Sequence, residues 1–264
     1  PVALTFWRWL LAFTILIPFT AASLHRHRAV IFRSWKVICL LGLFATVLQH
    51  IPIYWGLRDT TATNASLLNA TSPIFILLLS VMLLGQRLEP LSVFGSVLSM
   101  VGVVTIVSSG SLDRVIALHL NPGDVWILVA TLSWAAYTVC LRWRPRELGG
   151  VDLLTLIAGV SVIALAPLYA IEVASGRELH ASVAAFAGIG YVGVVASVLA
   201  YMAWNRGVAQ IGPARAAPFM YLMLAYTPLL SIALLGERLD WYHLAGGAMI
   251  VVGIALATRG RPRG

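Results

Sequence analysis

Leu83-Leu84-Gly85-Gln86-Arg87-Leu88-Glu89 and Leu234-Leu235-Gly236-Glu237-Arg238-Leu239-Asp240 are one heptapeptide in outline, written twice at a spacing of 151 residues. A repeat at a fixed offset decides the architecture before any single element does. The correspondence runs on past the heptapeptide, since Gly95, Val101 and Gly102 return as Gly246, Val252 and Gly253. Each copy lies between two apolar runs of membrane length. A hydrocarbon core about 30 Å thick takes about 20 apolar residues per helical crossing. Nine runs of that kind are legible, at residues 3 to 23, 37 to 57, 62 to 84, 90 to 109, 123 to 141, 151 to 173, 184 to 205, 212 to 235 and 242 to 258. The composition agrees: of 264 residues 60% are hydrophobic and 11% charged, too few polar side chains to cover a soluble globule. The fold class expected is an all-α polytopic membrane protein.

The net charge of +8 raises the question of a nucleic-acid partner, which would need the cations gathered on one soluble face. They are instead divided among short loops, and cytoplasmic loops are the ones enriched in Lys and Arg. Arg26, Arg28, Arg33 and Lys36 form one cluster, and Arg142, Arg144 and Arg146 another. If the helices alternate in direction, all but five of the 18 cations fall on one side, the exceptions being Arg8, Arg58, Arg114, Arg177 and Arg238. The C-terminus is then cytoplasmic. Arg87 lies inside and Arg238 outside, so the two heptapeptides face opposite compartments.

That opposition has a structural meaning. The runs 37 to 109 align with 184 to 258, and 3 to 23 with 151 to 173, while 123 to 141 has no partner. A helix upstream of Pro1 would supply it, giving two five-helix units, residues 1–110 lacking their first helix and residues 123–260. An odd number of helices per unit inverts one copy relative to the other. Inverted repeats are the arrangement by which many secondary transporters alternate access to a midplane site.

The paired heptapeptides, the stretch Tyr54-Trp55-Gly56-Leu57, and Trp204-Asn205-Arg206 leading to Ile211-Gly212-Pro213-Ala214-Arg215-Ala216-Ala217 resemble the EamA family of the drug/metabolite transporter superfamily. The resemblance covers nearly the whole chain. It implies ten helices, both termini in the cytoplasm, and export of amino acids or related metabolites across the inner (plasma) membrane, with the YddG-type aromatic amino acid exporters as one branch. It also implies that the runs 90 to 109 and 242 to 258 are peripheral. One departure is visible. Members often carry Pro in the middle of both heptapeptide-bearing helices; Pro73 is present, but its aligned position is Leu224, with Pro228 a turn later.

Pro-interrupted helices in matching positions of two halves point to a transport site, because a broken hydrogen-bond ladder frees backbone dipoles to face a solute. Pro73 and Pro228 are therefore the expected kinks. The run 62 to 84 is also the most polar, with Asn64, Ser66, Asn69, Thr71 and Ser72 ahead of Pro73. Such groups either bond across packed helices or line a cavity. Among aromatic residues, Tyr54, Trp134, Tyr137, Tyr191 and Tyr221 are cavity candidates, against the ordinary reading of interfacial belts and core packing. Trp134 and Tyr137 share a helix face. A cavity of such rings with few charges suits amphipathic solutes with an apolar or aromatic side chain.

All ten carboxylates fall in loops or at helix ends, so ion coupling through an intramembrane carboxylate is not expected. His50 is the one titratable candidate near a midplane, with a neutral structural imidazole as the ordinary reading. Arg8 lies a turn inside the first run; snorkelling to the interface is its ordinary reading, and binding of a substrate carboxylate the functional one. Gly188-Ile189-Gly190-Tyr191-Val192-Gly193 fits a dinucleotide motif in letters only, being inside an apolar run. No cofactor, no metal site and no enzymatic constellation is expected. The expected partners are a small-molecule substrate and the lipid bilayer, with the chain a monomer or weak homodimer. A lipid-linked flippase or a passive channel of the same architecture is the alternative.

Overall fold

The computed structural model describes residues 2–87, 89–111, 121–176, 183–223 and 240–259, together with Asp113, Ile116 and Tyr226. Among these residues there is no strand, as a lipid-embedded chain of this composition requires. Only helices and closed barrels satisfy every backbone group without water. The elements are α1 (Val2–Arg26), α2 (Arg28–Arg33), α3 (Trp35–Ala45), α4 (Val47–Gly56), α5 (Ala62–Asn69), α6 (Ser72–Leu84), α7 (Pro90–Val107), α8 (Pro122–Cys140), α9 (Gly150–Ala174), α10 (Val183–Tyr191), α11 (Ala200–Ile211), α12 (Pro213–Ala216) and α13 (Trp241–Arg259). A π-helical stretch, Val192–Leu199, joins α10 to α11. Singly or joined end to end, they make 8 helical spans long and apolar enough to cross a membrane. The protein is an all-α, multi-pass membrane protein. These spans correspond to eight of the nine apolar runs. The ninth, residues 212 to 235, is described only through its opening at α12, a 3-10 turn (Ala217–Phe219) and Met220 to Met223, plus Tyr226. Pro228 and the second heptapeptide up to Leu239 lie outside the described residues.

Local chemistry sets the breaks within spans. Pro73 has no N–H with which to bond the Asn69 carbonyl, and the Ser72 hydroxyl donates to that carbonyl instead, at 2.7 Å. The helix is accordingly interrupted at Ala70 and Thr71 and restarts with Ser72 and Pro73 as its first two residues. At its far end Gly85 adopts φ +62°, a left-handed cap, while its N–H reaches Val81 O at 3.0 Å and that of Gln86 reaches Ser80 O at 3.3 Å. A second break, unforeseen from the sequence, divides the run 37 to 57 at Thr46 (φ −132°, ψ −74°), whose buried hydroxyl donates back to Gly42 O at 2.7 Å. Back-bonding of this kind bends helices.

The chain divides into two compact units, each drawing on both halves of the sequence: Pro1–Tyr54 with Ala136–Gln210, and Trp55–Ala135 with Ile211–Gly264. In the first, α1 and α9 run antiparallel. Ala3 N–H donates to Glu172 (2.7 Å), Trp7 Nε1 to Tyr169 Oη (3.2 Å), Ser23 Oγ to Asp152 (2.7 Å), and Thr20 Oγ1 meets Thr155 Oγ1 at 3.2 Å. As the position rises along one helix it falls along the other. These two helices are the ones that the 151-residue offset aligns.

The second unit repeats the pattern. Its α7 and α13, also aligned by the offset, pack antiparallel through glycines. A Cβ on Gly102 would meet Gly246 O at 2.5 Å, one on Gly246 would meet Gly102 O at 2.5 Å, and Gly95 and Gly253 stand in the same reciprocal contact. Ser99 Oγ donates to Ile250 O at 3.2 Å, and these two positions are themselves 151 apart. Reciprocal contact between equivalent positions is the mark of a two-fold axis. The buried face of α7 is small and polar (Ser92, Gly95, Ser96, Ser99, Gly102), whereas Phe94, Val97 and Val101 are exposed. Without a hydrophobic force between helices in lipid, small residues that let backbones approach do the packing and large apolar ones face outward. Ala70, Val103, Tyr221, Ile250 and Ile254 form the core behind this pair.

Candidate functional site

In the first unit a buried polar cluster is built around Arg8. Its side chain is only 8% exposed, although it lies in a span and close to the start of α1. The expectation of snorkelling fails here, because the guanidinium turns into the unit: Nε donates to Ser197 Oγ at 2.9 Å, and the carbon at its centre lies 5.6 Å from the Trp9 ring. The π-helical stretch supplies Ser197, whose hydroxyl also reaches Val192 O at 3.1 Å, five residues back. Such widened turns are frequent at functional sites. They were not legible in the apolar sequence Val192–Leu199. Gly193 admits α1 closely; a Cβ there would meet Leu11 Cδ2 at 2.9 Å.

Aromatic rings continue from Arg8. Trp9 and Tyr201 meet edge to face at 5.1 Å, and Tyr201 and Tyr137 lie 5.8 Å apart. Tyr137 is fully buried and its hydroxyl donates to Asn205 Oδ1 at 2.7 Å. Tyr201 donates to Ala45 O at 2.8 Å and stands 3.3 Å from Gln49 Oε1. His50 is part-buried with Nδ1 3.0 Å from Thr46 O, the carbonyl that also receives its own backbone N–H, and Tyr54 is part-buried a turn further along α4. Tyr191, by contrast, is 67% exposed at the end of α10.

The second unit holds the remaining candidates. Asn64 is buried and its amide donates to Asp124 Oδ2 at 3.3 Å; Thr60 donates to Oδ1 of the same carboxylate, and Asn121 N–H to Oδ2 at 2.8 Å. Asp124 is thus buried at the first turn of α8, where a carboxylate favours the N-terminal dipole and ties the start of α5 to that of α8. Asn69 is exposed, whereas Ser72 and Pro73 are buried at the helix break. Trp134 Nε1 lies 3.4 Å from Met220 Sδ. Tyr221 is wholly buried in the core cluster, and no described residue pairs with its hydroxyl. Sequence reasoning did not place Trp9, Ser197 or Asn205 among the candidate site residues, although Asn205 stands in a stretch that carries the family resemblance. Trp9 meets Tyr201, Ser197 meets Arg8 and Asn205 meets Tyr137, all neighbours far away in the chain, which no local pattern announces.

The profile of the EamA-like transporter family matches residues 1–108 and 121–259. The chain belongs to the EamA-like transporter family. A relative from Archaeoglobus fulgidus, named an uncharacterized transporter, is 28% identical over 260 residues, covering 98% of this chain and 88% of its own. A protein of Streptantibioticus cattleyicolor named "Probable terminal-alkyne amino-acid exporter" is 25% identical over 228 residues, covering 86% of this chain and 74% of its own. A crystal structure at 20% identity superposes with a TM-score of 0.79 over 98% of this chain and 88% of that one, a likeness of fold. EamA membership and the relatives' names make this a membrane transporter of the drug/metabolite type, not an enzyme, with a small-molecule substrate.

Proposed function

We propose that this EamA protein exports amino acids, aromatic and hydrophobic ones among them, across the inner (plasma) membrane by alternating access, with its C-terminus cytoplasmic. The observation that carries the reading is the cluster of the first unit. A cation and hydrogen-bonding side chains beside a run of aromatic rings suit a solute with a charged head and an apolar side chain. The amino-acid exporter among the relatives supports the same class. Residues 1–110 and 123–260 are read as two inverted units, supported by the antiparallel packing of α1 with α9 and of α7 with α13. His50, Tyr54, Asn64, Asn69, Ser72, Trp134, Tyr137, Tyr191 and Tyr221 are the proposed substrate-facing or site-shaping residues, with Pro73 and Pro228 as hinges.

Transport is read as facilitated, driven by the solute gradient, since all ten carboxylates of the sequence lie in loops or at helix ends and His50, the one candidate near a midplane, turns its Nδ1 to a carbonyl of its own span. The test is counterflow in proteoliposomes loaded with phenylalanine, threonine or a sugar. Trans-stimulated uptake of radiolabelled phenylalanine is expected with the first, and a passive channel shows no such exchange. Equal stimulation by all three solutes would remove the selectivity claim.

A further inference from the structure

Arg8 has no described carboxylate for a partner, and its one recorded hydrogen bond among the described residues goes to a neutral hydroxyl. A guanidinium withdrawn from water without a counter-ion is unfavourable, and a cation kept inside a membrane span marks a functional site by default. The setting is rich in donors. Trp9 Nε1 and Asn205 Nδ2 are buried and unmatched among the described residues, whereas Tyr137 and Tyr201 spend their hydroxyls as donors. What such a cluster lacks is an anionic acceptor. To such an acceptor the guanidinium presents a planar fork of N–H donors, whose shape matches a carboxylate with two parallel bonds. Only Nε is taken up by Ser197, which fixes the plane of the fork and is itself held by the π-helical turn. Trp9 lies under the cation, and Tyr201 and Tyr137 extend the apolar wall away from it.

We propose that Arg8, oriented by Ser197, binds the carboxylate of the transported solute, with the Trp9–Tyr201–Tyr137 rings receiving its apolar side chain. The proposal rests on the amino-acid reading only for the nature of the solute; the chemistry it requires is a monocarboxylate with an apolar group. The test measures thermal stabilisation of the full chain in detergent by phenylalanine, by hydrocinnamate, which lacks the amine, and by phenethylamine, which lacks the carboxylate. A ligand that prefers the folded state must raise the melting temperature.

The wild type is expected to respond to both carboxylates and not to phenethylamine. Arg8→Gln should weaken the carboxylates by about ten- to a hundredfold, the usual scale for a charged hydrogen bond. Arg8→Lys keeps the charge without the fork and should fall between the two. Ser197→Ala leaves the cation and loosens its orientation, so a smaller loss confined to carboxylates is expected. If Arg8→Gln does not fold, the last two variants decide the matter by that selectivity. Unchanged carboxylate affinity in these variants would overturn the proposal, as would equal stabilisation of the wild type by phenethylamine or no response to either carboxylate. If hydrocinnamate depends on Arg8 and phenylalanine does not bind, the amino-acid reading falls and the Arg8 site stands. If wild type and Arg8→Gln exchange phenylalanine equally, the reverse holds.

Discussion

Tyr137 joins two spans of the first unit through its hydroxyl, 2.7 Å from Asn205 Oδ1. Tyr137→Phe keeps the ring against Tyr201 and removes that bond. Interhelical hydrogen bonds in lipid average about 0.6 kcal/mol, with the strongest near 1.7 kcal/mol. The expected outcome is a folded protein with a melting temperature lower by a few degrees in a detergent thermal-shift assay. A loss of folding would show the bond to be worth far more than its class. His50 makes a contrasting case: its Nδ1 faces the Thr46 carbonyl within its own span. Under facilitated transport, His50→Ala should leave the pH dependence of counterflow as it is in the wild type. A pH-driven component present in the wild type and missing in the variant would mean that this imidazole carries protons.

At the scale of elements, Pro73 separates stability from movement. Pro73→Ala restores an N–H that can bond Asn69 O and rejoin α5 to α6, so the break at Ala70 and Thr71 should shorten. Expected are an unchanged or higher melting temperature and a slower counterflow rate, because a span that must hinge is being stiffened. Faster exchange would argue that the interruption is only a packing adjustment. The pair α7 and α13 behaves oppositely. Gly102→Leu places a side chain where the Gly246 carbonyl lies, and overpacking of this kind costs about 1–3 kcal/mol or more. A clear fall in the melting temperature is expected, and Gly102→Ala should show a smaller one. The small-residue face of α7 could be read from Ser92, Gly95, Ser96, Ser99 and Gly102 at helical spacing. The division at Thr46 could not, since a threonine bends a helix only when its hydroxyl turns back to the preceding turn, and the letters do not encode that choice.

For the molecule as a whole, the apolar spans were open in the sequence, eight of the nine runs standing as helical spans among the described residues, because runs of about 20 apolar residues satisfy their backbone in lipid as helices. The repeat was open too, since the heptapeptides and glycines recur at one spacing. The environment of Arg8 was closed to inspection. Ser197 stands 189 residues away, and only the packing of the π-helical stretch against α1 brings the two together. The proposed inverted arrangement makes a direct prediction: in a cysteine-free background, Arg87→Cys should be labelled by an impermeant maleimide only from the cytoplasmic side, and Arg238→Cys only from the opposite side. Labelling of both from one side would end the inverted reading.

The reciprocal seating of Gly95 with Gly253 and of Gly102 with Gly246 also bears on how this chain can change over generations. It is a homodimer's contact folded into one polypeptide, so neither half sets its own tolerance. Room for a larger residue at one seat exists only if the facing helix yields it. The mirror seat must find its own allowance separately. Descendants of the two halves can therefore drift freely on their lipid faces, while along this seam they stay bound to one another's history.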